Sequence, residues 1–146
     1  MKALIRHGLA GLALAAAMFA SPMASAEMIT FNAVLAGASE VPPVETKGRG
    51  NAVVTYDTAT KQLTWSITFS DLTGDATVAH FHGPAGPTEN AKVAVLIAKA
   101  PKSPAKGSAT LTDAQAADLL AGRWYINIHT EQNRPGEIRG QVVKGK

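Results

Sequence analysis

The sequence predicts an all-β domain, an antiparallel sandwich or barrel with one short helix. Seven or so short runs suited to strands are separated by turn signals. Leu63–Ser70 alternates apolar and polar residues without a slip, and Trp124–Thr130 does the same. That is the pattern of a strand with one face on the core and the other toward polar surroundings. Thr112–Gly122 alone carries the start and stop signals of a helix.

The first segment, residues 1–26, is expected to be a signal peptide rather than part of the fold. Lys2 and Arg6 supply a positive start, an apolar run extends from Gly8 to Ala20, and Ala24-Ser25-Ala26 gives a small-x-small end. The apolar run is shorter than the roughly 20 residues needed to span a bilayer. Residues 27–146 then form one domain, large enough for a single core.

Along that domain, TFNAVLAG (Thr30–Gly37) is a first strand of loose alternation, followed by a loop broken at Pro42-Pro43. NAVVTYD is a second strand and LTWSITFS a third; DLTGD turns the chain into ATVAHFH, a fourth. AKVAVLIAKA is more uniformly apolar, which suits a strand buried on both faces, and PKSPAKG is read as a polar loop. Thr112 and Gln115 fit a capping box, each side chain satisfying a free N–H at the helix start. Gly122 fits the left-handed position after the end, so the helix is placed at Asp113–Ala121. WYINIHT and EIRGQVV, joined by EQNRPG, complete the strands. Trp65 and Trp124 fall on apolar faces and are expected to be buried.

Composition narrows the function classes. Lys2 and Arg6 belong to the leader, so the 11 acidic residues nearly balance the basic ones that remain, and no basic stripe suggests nucleic acid. The chain has no cysteine, which removes thiolate metal sites and cysteine nucleophiles. No Gly-x-Ser-x-Gly elbow, His-Glu-x-x-His or phosphate loop occurs. The leader points to a periplasmic or secreted location.

The histidines are the informative residues. Of the four, His7 lies in the leader. His80 and His82 share one strand face about 7 Å apart, with Ala79 and Phe81 on the opposite, core-like face. In WYINIHT, Trp124, Ile126 and Ile128 make an apolar face; Tyr125, Asn127 and His129 make the other. If the two strands are neighbours, three imidazoles can meet, since adjacent-strand partners lie about 5 Å apart. A His-x-His pair with a third histidine suits copper or zinc, both good partners for neutral imidazole. Three histidines fall short of a closed four-ligand zinc site; Asp75, Glu89, Glu131 and Met28 are candidates to complete it. The competing reading is that these histidines hold loops by hydrogen bonds. Asn127 is read as a loop-holding amide. Glu137 and Arg139, two apart on the last strand, are read as a structural pair rather than a ligand-binding one.

AHFHGPAG followed by LLAGRWYINIHTEQNRPGEIRGQV resembles the signature of the CHRD domain family, named after chordin. His80, His82, Gly83, Pro84 and Ala85 match its first part; Gly122, Trp124, Tyr125, Asn127, His129, Thr130 and Gly136–Gln141 match its second. The resemblance covers about residues 29–143. Arg134 departs from it where members often have a small residue, and is expected to alter a turn rather than the site. The resemblance implies an immunoglobulin-like β-sandwich and an extracellular or exported protein, and it joins His80, His82 and His129 in one motif. The expected function is therefore an exported binding protein with copper or zinc on these three residues. A metal-free module binding an extracellular protein or surface is the alternative, and a metal-dependent oxidoreductase has the least support.

Overall fold

The computed structural model describes residues 25–146. The expected signal peptide, apart from Ser25 and Ala26, lies outside the described residues. Nine strands and one helix follow in order: β1 (Met28–Ala36), β2 (Arg49–Asp57), β3 (Gln62–Ser70), β4 (Ala76–His82), β5 (Val93–Lys99), β6 (Ala105–Thr110), α1 (Asp113–Leu120), β7 (Tyr125–Thr130), β8 (Ile138–Gln141) and β9 (Val143–Lys144). All pairings are antiparallel and form one path, β5-β4-β7-β8-β1-β2-β3-β6, with β9 on β1. The end strands β5 and β6 approach each other, so the sheet is nearly closed into a barrel-like shape. The immunoglobulin-like sandwich is a more specific arrangement than this single hydrogen-bonded path.

Alternation puts the core where the sequence placed it. Ile29, Phe31, Ala33 and Leu35 of β1 point inward, as do Ala52, Val54 and Tyr56 of β2 and Leu63, Trp65 and Ile67 of β3. Both tryptophans are buried. Phe81 joins the opposite halves of the curled sheet: its ring meets Trp65 edge-on at 5.3 Å between centroids and lies 5.6 Å from Trp124. Each such aromatic pair contributes about 0.5–1.5 kcal/mol beyond the area it buries. β4 is thus anchored through Phe81, and its other face is free to carry His80 and His82.

The capping box forms as expected: Gln115 N donates to Thr112 Oγ1, and Thr112 N donates to Gln115 Oε1. Gln115 also ties α1 to the sheet by donating from Nε2 to Ala94 O. Gly122 follows the helix at φ +71°.

Two expectations need correction. β5 is not buried on both faces: it is an end strand, Ile97 alone is fully buried, and Val93 and Leu96 are about half exposed. The stretch read as a polar loop is partly strand β6, paired with β3 from Ala105 to Thr110. Its inner surface is filled by Trp65 of β3 rather than by large side chains of its own. A Cβ on Gly107 would lie 2.6 Å from the indole Cζ2, so only glycine leaves room for that ring.

Candidate metal centre

The site begins with the pairing of β4 and β7. Val78 faces His129, His80 faces Asn127 and His82 faces Tyr125. His129 is therefore the diagonal neighbour of His80 on the same sheet face. Register shifts between β4 and β5, at Ala79/His80 and Phe81/His82, flank both histidines; such bulges re-aim side chains. One ligand atom from each of His80, His82 and His129 lies within 4.8 Å of the others, and no carboxylate joins this group among the described residues.

Hydrogen bonds fix how the rings present their nitrogens. His82 Nδ1 lies 3.0 Å from Ala91 O, and His129 Nδ1 lies 2.7 Å from Arg134 O. A carbonyl only accepts, so both Nδ1 atoms carry the hydrogen and both Nε2 atoms keep a lone pair. His82 Nε2 is buried without a partner. His129 Nε2 lies 3.3 Å from His80 Nδ1, which must donate to it when no ion is bound. Carbonyls that set the tautomer of ligating histidines are the usual outer support of a metal site. Two nitrogens bound to one zinc at 2.0–2.1 Å in tetrahedral geometry stand about 3.3 Å apart, which is the His80–His129 separation.

The local electrostatics favour neutral rings. Desolvation is the leading cause that lowers all three pKa values from 6.5; for His80 the neighbouring His129 and His82 lower it further. For His82 and His129, the carbonyl hydrogen bonds pull the other way but do not prevail. Neutral imidazole is the form that binds metal.

The residues around the rings form a support the sequence did not make visible. The side of β7 bearing Tyr125, Asn127 and His129 reads as polar, yet every residue of β7 is buried. Loops cover it. Tyr125 stacks on His82 with ring centroids 5.0 Å apart and planes within 5°, and accepts a bond from Ala91 N. Arg139 lies over the other face of Tyr125, 3.5 Å from its centroid. It donates to Gly86 O, Glu89 O and Asn90 Oδ1, holding the loop whose Ala91 carbonyl orients His82. Asn127 is a loop holder as read: its Nδ2 donates to Glu40 Oε1 at 2.5 Å. The chain carries the signal for Tyr125, which shares the face of His129; it carries none for Ala91 and Arg134, which act through backbone oxygens.

Other candidates stand elsewhere. Asp75 pairs with Lys102, Glu131 with Arg134, and Glu89 accepts from Gly86 N, so none completes the histidine group. Met28 is an exposed residue at the start of β1. Glu137 and Arg139 are both buried but not paired with each other. Glu137 instead accepts from Thr46, Thr73 and Thr130 hydroxyls and from Thr73 N. The Arg134 side chain pairs with Glu131, away from the histidines, while its backbone carbonyl, which any residue there would offer, binds His129.

Comparison with known proteins gives one match: the family model of the CHRD domain covers residues 31–142. No curated protein and no solved structure matches the chain.

Proposed function

The chain belongs to the CHRD domain family, and from that premise we propose that it is an exported binding protein that holds one copper or zinc ion on His80, His82 and His129. The observation that carries the reading is the lone pair on His82 Nε2, buried and without a partner beside two further imidazoles whose nitrogens converge on it. Leaving such a buried nitrogen unbonded costs about 1–3 kcal/mol, and an ion removes that cost.

In this reading His82 and His129 hold their Nδ1 hydrogens on Ala91 O and Arg134 O and offer Nε2. His80 gives up its bond to His129 and turns the same nitrogen, Nδ1, to the ion, carrying its hydrogen on Nε2. Tyr125 and Arg139 keep the His82 ring from rotating away. Bound copper or zinc would supply a Lewis-acidic, or for copper redox-active, centre with one position open beyond three protein ligands. We read the curled sheet as sandwich-like, with Trp65 and Phe81 meeting between its halves in the immunoglobulin-like manner the family implies.

Elemental analysis combined with intact mass, on protein recovered from outside the cytoplasm, tests both parts. About one copper or zinc per chain and an N-terminus at Glu27 are expected. Metal content unchanged by His129→Ala contradicts the site, and a chain retaining Met1 contradicts export. A metal-free interaction module takes over if the folded wild-type protein holds no metal.

A further inference from the structure

A second cleft adjoins the histidine site without containing it. It lies between the loop at Glu40–Val44 and the turn at Gln132–Gly136, encloses about 310 Å³, and has His82 as one wall. We propose that this cleft binds a small organic cation, a primary ammonium group on a compact apolar stem, through the carboxylate of Glu40.

Glu40 is only 7% exposed and lines the cleft. Among the described residues Asn127 is its one side-chain hydrogen-bond donor, to Oε1, and no cation forms an ion pair with it. A buried carboxylate without a counter-charge is costly. Arg139 exerts a favourable field on it, but its guanidinium is spent on Gly86 O, Glu89 O, Asn90 and the Tyr125 ring. Burial accordingly pushes Glu40 up to about 7, against the pull of Arg139 and Asn127. An ammonium group on Oε2 supplies the missing charge and a charge-assisted hydrogen bond.

Val41, Pro42, Val44 and Pro135 give part of the wall an apolar surface suited to a short stem, beside the polar Asn90, Gln132 and Asn133. The volume is at the small end of ligand sites, roughly 300–1,000 Å³. The carboxylate is also set in place beforehand. Gly136 has φ +140°, and a Cβ there would come 2.3 Å from Asn127 Nδ2 and 2.7 Å from Glu40 Oε1. Glycine at this turn therefore leaves the Asn127–Glu40 pair undisturbed, and a fixed pair loses less freedom on binding. The ion on the three histidines plays no part in this recognition.

The test is a titration of the purified protein with benzylamine and, separately, benzyl alcohol, with a chelator present so that amine ligation to a metal contributes nothing. It is run at about pH 8, where Glu40 is ionised. The amine is expected to bind at one site at least about tenfold tighter than the alcohol, and to shift the Asn127 side-chain amide resonances. Glu40→Gln is expected to abolish the preference. Equal binding of the two probes, no amine binding, amide shifts confined to other regions, or an unchanged preference in Glu40→Gln overturns the proposal. Should Glu40→Gln fail to fold, the wild-type comparison of amine with alcohol decides.

Discussion

His82 combines two opposed features: Nδ1 is satisfied by Ala91 O, and Nε2 is buried with nothing to accept from. Together with His80 and His129 it is held neutral below its ordinary pKa of 6.5, chiefly by desolvation. Two consequences follow for pH. Copper or zinc bound at the proposed site is expected to be released only as pH falls below 6.5, because protons compete for the same lone pairs. A metal-release midpoint above 6.5, read by absorbance or competition with a chromophoric chelator, contradicts this. In the metal-free protein the depressed values favour folding above about 6.5, and that contribution is lost as pH drops through the folded values. Glu137 offers a second check. Burial raises its pKa, but the bonds from Thr46, Thr130 and Thr73 outweigh burial and hold it below 4.5. Glu137→Gln is expected to cost about 1–3 kcal/mol at neutral pH. The deficit should shrink in acid, since a depressed carboxylate stabilises only while ionised. Urea denaturation at both pH values measures it; a deficit unchanged by acid contradicts the charged cage.

At the scale of elements, the strands that alternate were legible and those that depend on a neighbour were not. Leu63–Ser70 shows its inner face directly, and the β4 and β7 histidines follow from the same period of two. β6 shows nothing of the kind, because its inward contribution is the absence of a side chain at Gly107, filled by Trp65. β5 misled in the opposite sense: its uniform apolarity suited a central strand, yet it ends the sheet. The loops that orient His82 and His129 were invisible because they do so through the backbone oxygens of Ala91 and Arg134, which every residue has. Gly107→Ala should therefore destabilise by about 1–3 kcal/mol through overpacking against Trp65, seen as a lower denaturation midpoint with a changed near-ultraviolet tryptophan signal. A neutral effect contradicts the assigned packing.

For the whole molecule, the core and the candidate metal centre are distinct layers. Phe81, Trp65 and Trp124 hold one face of β4 and β7 while the other face presents the three histidines under loops. The fold is therefore expected to form without an ion, unlike small domains that lack a core. Metal should add stability only by mass action, about 2.7 kcal/mol at a free concentration one hundred times its Kd. That separation lets each histidine be replaced in a protein that still folds. The most direct measurement is calorimetric titration of the folded, metal-stripped protein with Cu(II) and Zn(II) at neutral pH, repeated on His80→Ala, His82→Ala and His129→Ala. One ion per chain is predicted for the wild type, with affinity at least about tenfold weaker in each variant. A folded wild-type protein that takes up neither ion, or variants that bind as tightly as the wild type, would contradict a metal centre built on these three side chains.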